Sequence, residues 1–195
     1  MGKIIFDLSP DTKAHLQANQ PLLLQAIESA NNTCAPAIRE AVIDIQSKLE
    51  GSGHNYLAKA ASPKNSVDGN VYIWINVIDE TSSQAVVSEK GHAMIIFQPN
   101  DLEKQYVGTD GANHPTTLPE IIGHELAHIA RGHHQGKSGF LERIFGANVT
   151  EAPVIRDINE SLRIPFGKTA RIENDYHNST VTISNNAPPA LNCKP

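Results

Sequence analysis

Cysteine, aromatic residues, long apolar runs and an excess of positive charge are all scarce in this chain, and each scarcity excludes something. Cys34 and Cys193 are its only cysteines. Two are too few for the disulfide framework that staples a small secreted domain; one bridge is possible but not implied, and the favoured expectation is two free thiols in a protein made in a reducing cytosol. No apolar run approaches the roughly 20 residues a spanning helix needs, so no membrane contact is expected. The first residues, MGKIIFDLSPD, lack the apolar core of a secretory signal, and Phe6 stands where a myristoylation motif wants Ser or Thr. Synthesis in the cytoplasm is expected, with any export by a signal-independent system. Sixteen Lys and Arg stand against 21 Asp and Glu, a net charge of −5. That balance speaks against nucleic acid as the partner, because phosphate binding needs a basic face. What remains, 195 residues with 39% apolar content, is enough for one cored domain. It is expected over residues 1–184 and as a monomer, with NNAPPALNCKP, residues 185–195, as a flexible tail.

Periodicity places the elements. Leu22, Leu23, Leu24, Ile27 and Ala30 after Pro21 predict a short helix. Ile38, Ala41, Val42, Ile45 and Leu49, ahead of Gly51 and Gly53, predict an amphipathic one with its stop signal. Residues 51–69 read as loop. VYIWINVID, residues 71–79, predicts a strand buried on both faces, and HAMIIFQP, residues 92–99, a second one closed by the turn at Pro99, Asn100 and Asp101. The loop GTDGANHP, residues 108–115, leads to Thr117, Pro119 and Glu120. Thr followed three residues later by Glu is a capping box, and Pro in the first turn loses no hydrogen bond. A helix over about 118–131 that stops at Gly132 follows, then another from 150 or 151 to 162. Helices, a small sheet and further helices make an α+β domain.

The chemistry is concentrated in IIGHELAHIARGHHQG, residues 121–136, which holds four of the nine histidines. On a helix, residues four apart share a face about 6 Å apart along the axis. His124 and His128 can therefore turn imidazole nitrogens to one Zn²⁺. Glu125, rotated about 100° from His124, can take a proton from water near the metal and pass it to a leaving amine. Ile122, Leu126 and Ile129 line the other side, so the core needs none of the histidines. This is the H-E-x-x-H signature of zincin metallopeptidases. A catalytic zinc needs a third protein ligand. His134 lies ten residues after His124, the metzincin spacing, although the glycine of that pattern falls at Gly132 and position 131 is Arg. HELAHIARGHH resembles the DNA–protein-crosslink repair proteases, where the glycine sits one place later. That resemblance implies His134 as third ligand and DNA as a partner. His133, and His54, His92 and His114 elsewhere, read as structural or exposed.

A second resemblance covers more of the chain. With EAPVIRDINESLRIPFGKTAR, residues 151–171, the HELAH helix is similar to the NleD-type effector metalloproteases of bacterial pathogens over roughly residues 108–176. The matching positions are Glu151, Val154, the pair Asn159-Glu160, Arg163, Gly167, Arg171 and Tyr176. Tyr176 lies further past Arg171 than in the family pattern, and the Asn and Glu stand in reversed order. This resemblance implies a zincin-like domain, a small sheet packed on helices with the H-E-x-x-H helix central. It implies one catalytic Zn²⁺ in a gluzincin centre, as in the clostridial neurotoxin proteases, with Glu151 on the next helix as third ligand; Glu160, Glu142 and His134 are the alternatives. It also implies Arg171 and Tyr176 beside the oxyanion of the tetrahedral intermediate. The activity implied is endoproteolysis of a host signalling protein, with mitogen-activated protein kinases as the family's best-known target. The strand at residues 71–79 or at 92–98 would hold the substrate by strand addition. Two other functions fit the same motif: a zinc-stabilised interaction module without catalysis, and hydrolysis of a non-peptide amide.

Overall fold

Four strands form the sheet that carries the core: β1 (Ile4–Ile5), β2 (Val71–Ile75), β3 (Gln84–Val87) and β4 (Ala93–Phe97), in the order β1-β2-β4-β3. The computed structural model describes residues 2–77, 82–132 and 148–173. β1, β2 and β4 run parallel, while β3 pairs antiparallel with β4 and forms an edge. The pleat sends Val71, Ile73, Ile75, Ala93, Ile95 and Phe97 to one face, where they join the main core. On the other face Trp74 packs with Leu8, Leu16, Leu24 and Ile27. Both faces of β2 are covered, as its apolar run requires.

Helices α1 (Pro10–Asn19) and α2 (Pro21–Leu49) fill the long connection between β1 and β2. The two helices read from residues 22–30 and 38–49 are one helix of 29 residues with Pro36 inside it. A proline in a helix interior costs about 3 kcal/mol, yet the buried stripe Ile27, Ala30, Cys34, Ile38, Ala41 and Ile45 keeps its three- and four-residue step through Pro36. Burial along that stripe outweighs the local penalty. Cys34 is fully buried on it and disulfide-bonded, which corrects the expectation of two free thiols; Cys193 lies outside the described residues. At the sheet, Asn31 Oδ1 accepts a hydrogen bond from the Ile75 N–H at 2.8 Å and fixes the end of β2.

Several short elements carry too little periodicity to be read from sequence, β1 and α1 among them. The segment 51–69 contains α3 (Tyr56–Ala60), five residues packed on the H-E-x-x-H helix. β3 is four residues long. The segment at 108–115, read as loop, is the turn and second strand of a hairpin between β5 (Gln105–Val107) and β6 (Asn113–Pro115). The Pro99 turn is a 3₁₀ helix over Pro99–Glu103, from which Asp101 Oδ2 accepts the Ser83 N–H at 2.6 Å and holds the start of β3. The H-E-x-x-H helix, α4 (Leu118–Arg131), has the predicted bounds and ends at Gly132 in the left-handed region, φ 75°. α5 (Asn148–Ile158) follows and continues into a π turn over Asn159–Arg163. Among the described residues no helix is long and apolar enough to cross a membrane. The predicted tail at 185–195 lies outside them.

Candidate metal centre

The capping box that starts α4 is formed: Glu120 Oε2 accepts the Thr117 N–H at 2.9 Å. Ile122, Leu126 and Ile129 are fully buried and set the rotation of the helix. The histidines are left on the side facing α5. Gly123, one residue before His124, permits a close approach, since a Cβ there would stand 2.8 Å from Leu162 Cδ1 and 3.3 Å from the Tyr56 hydroxyl. At the far end, Arg131 grips Asp157 of α5 with two hydrogen bonds of 2.7 and 2.8 Å. α5 is thereby laid along α4 with its first turn opposite the histidines.

That first turn carries Glu151. One carboxylate oxygen lies 3.2 Å from His124 Nε2, the other lies 3.0 Å from His128 Nε2, and the two Nε2 atoms are 3.1 Å apart. Glu151, the third ligand that the resemblance implies, is the carboxylate brought to both imidazoles. Among the described residues these three form the one group of donors able to hold a metal ion. Glu160 is turned elsewhere and lies 3.4 Å from His54. His134, Glu142 and Tyr176 lie outside the described residues. His92 and His114 pair with Asp11 and Asp110, in keeping with structural roles.

The spacing suits a tetrahedral ion. Bonds of about 2.0–2.1 Å at tetrahedral angles separate adjacent ligand atoms by roughly 3.3 Å, close to the 3.0–3.2 Å observed. Protons alone satisfy the cluster poorly. If both Nε2 atoms carry a hydrogen, each donates to Glu151 but the two N–H groups confront one another; if neither does, lone pairs face the carboxylate. If only one does, it can serve the carboxylate and the other ring, but the bare nitrogen still faces a carboxylate oxygen. A divalent cation among the three removes these conflicts.

Electrostatics divide the groups into ligands and base. Burial lowers His124 to about 4; the Glu151 carboxylate opposes that shift, while the His128 and Arg171 charges add to it. His124 is thus a neutral imidazole at ordinary pH, the form a metal requires. Burial alone would raise Glu151, but the hydrogen bonds from the two imidazoles prevail and hold its carboxyl well below the usual range. Glu125 goes the other way: burial, at 7% exposure, pushes it up to about 8. The nearby Ala85 backbone in β3 opposes that shift only slightly, and α4 packs on β3, so the candidate base lies near the edge strand.

Two expectations about neighbouring residues change. β4 is paired on both sides, and β2 is flanked by β4 and, at Val71 and Tyr72, by β1. Of the two sheet edges, β1 and β3, the one packed against α4 is β3, which its four residues hid in the sequence. The backbone of Arg171 is held in a strand-like segment that pairs with the end of β5 across the Gly108 bridge, and its positive charge is among those that lower His124. No family model, curated protein or solved structure matches the chain.

Proposed function

We propose that this chain is a zinc endopeptidase with a zincin-like domain and a gluzincin centre, in which His124, His128 and Glu151 hold the ion. The observation that carries the reading is the convergence of these three donors within 3.2 Å of one another, with the buried carboxyl of Glu125 next to them. Zinc in that position supplies Lewis acidity, making water acidic near neutral pH and polarising the scissile carbonyl. Glu125 accepts the proton from the attacking water and delivers it to the leaving amine. Arg171 contributes positive charge toward the developing oxyanion; Tyr176 is assigned the same task by resemblance. The substrate lies extended along β3, its backbone pairing with the free edge beside Ala85 and Glu125.

A purely structural zinc site has no use for Glu125. A buried carboxyl beside the ligands costs stability and contributes nothing to binding, which favours catalysis over an interaction module. The substrate we assign is a protein, a host signalling kinase by resemblance to the effector proteases. A net charge of −5 supports protein over DNA, and so over the crosslink-repair reading. The disulfide at Cys34 supports export to an oxidising compartment.

The test is hydrolysis by the purified chain of an unstructured protein such as casein, followed by mass spectrometry of the products. Cleavage at internal peptide bonds is expected, lost with 1,10-phenanthroline and restored by stoichiometric zinc. Hydrolysis indifferent to the chelator would refute the proposal.

A further inference from the structure

Arg171 is held by strand geometry completed from a side chain. It faces Gly108 across an isolated antiparallel bridge. On that side the bonds come from its neighbours: the Thr109 N–H donates to the Ala170 carbonyl at 2.8 Å, and the Ile172 N–H to the Val107 carbonyl at 3.1 Å. In such a ladder the N–H and C=O of Arg171 itself point the opposite way. There both meet Asn159. The Arg171 N–H donates to Asn159 Oδ1 at 2.8 Å, and Asn159 Nδ2 donates to the Arg171 carbonyl at 2.8 Å. The carboxamide occupies the place of a third strand's peptide group.

Asn159 is fixed in turn. It is buried at the start of the π turn, and Arg163 Nη1 donates to its Oδ1 at 3.0 Å. The Arg163 guanidinium stacks 4.2 Å over the Tyr106 ring, and its Nε lies 3.4 Å from Glu120 Oε1, within ion-pair reach but not aligned as a hydrogen bond. Glu120 is the residue that caps α4. A continuous set of contacts therefore runs from the first turn of the ligand-bearing helix, through Arg163 and Asn159, to the backbone of Arg171.

We infer that Asn159 is a positioning residue whose carboxamide fixes the Arg171 backbone so that the guanidinium is presented to anionic oxygen at the His124 side of the centre. The inference rests on the zinc-hydrolase reading of that centre. The two Arg171 bonds need an acceptor and a donor side by side on one short planar group, which the Asn carboxamide supplies. Leu or Ala offers neither, and Asp offers no donor.

The experiment uses the full chain loaded with Co²⁺ in place of zinc, with its visible spectrum followed during titration with acetohydroxamate. Arg171→Ala should weaken acetohydroxamate binding by about tenfold, the worth of a hydrogen bond to a charged group. Asn159→Ala should weaken it by a comparable factor with cobalt stoichiometry unchanged. The double variant should be no weaker than Arg171→Ala alone, because Asn159 acts through Arg171. Should Asn159→Ala fail to fold, Asn159→Asp keeps the acceptor for the Arg171 N–H and for Arg163, losing only the donor, and should show the same weakening. Wild-type affinity in a folded Asn159 variant, or losses that add in the double variant, would overturn this inference alone. A wild-type chain that takes up no cobalt would overturn it together with the zinc reading.

Discussion

Replacement of Glu125 by Ala is expected to leave zinc bound and to lower the rate of peptide hydrolysis by about 10²–10⁴-fold, the contribution of a positioned general acid–base group. Glu125 is not among the three donors, so equilibrium dialysis should find wild-type zinc stoichiometry in the variant. Retained cleavage would remove Glu125 as the base. The isosteric Glu125→Gln exchange carries a second consequence, read by melting curves of the metal-free protein. Burial pushes the folded-state carboxyl up to about 8, while the unfolded chain titrates near the ordinary value of about 4.3. Between those values the native state binds more protons than the unfolded state, so wild-type stability falls as pH rises through that window. Gln has no proton to lose. The metal-free variant should therefore be the more stable of the two at pH 7, and the difference should fade toward pH 4. A divalent cation on the neighbouring ligands favours the carboxylate, so zinc should narrow the gap at pH 7. Such a cost in stability is what the proposed role of Glu125 as a buried base would carry.

The second large effect concerns the ligands. Glu151→Ala should weaken zinc binding by more than about 10²-fold, the upper range for losing an outer-shell partner, because it removes a direct ligand. Glu160→Ala, nine residues along the same chain segment, should leave affinity unchanged, since Glu160 faces His54. Competition with a chromogenic chelator measures both. The pair of variants separates the two carboxylates that sequence spacing alone left open. Equal losses in the two would mean that the first turn of α5 does not face the histidines in the metal-loaded protein.

The centre was legible because its signals are short-range. A capping box, a proline in the first turn, a 3.6-residue apolar period and a terminal glycine all act between Thr117 and Gly132, and the placing of the two imidazoles on one face follows from the helix repeat alone. Glu151 was reachable only through resemblance, since its approach to the histidines depends on Arg131 gripping Asp157 and on Gly123 admitting Leu162 and Tyr56. The edge strand was missed for the opposite reason. β3 is four residues long, and its place is set by β4 and by the cap from Asp101 to Ser83, which no local pattern encodes. At Pro36 the local rule was real but outweighed. The unbroken buried stripe from Ile27 to Ile45 was the readable sign that one helix passes through. Asn159 illustrates a third case: its residue type was noted in a pattern, but its work depends on the backbone of a residue twelve positions later.

X-ray absorption at the zinc edge of the metal-replete chain tests the central claim most directly. One ion per chain is expected, with a first shell of nitrogen and oxygen at about 2.0–2.1 Å, imidazole scattering from two rings, and loss of one oxygen donor in Glu151→Ala. A sulfur shell at about 2.3 Å, or imidazole scattering that survives in the His124→Ala, His128→Ala double variant, would contradict it.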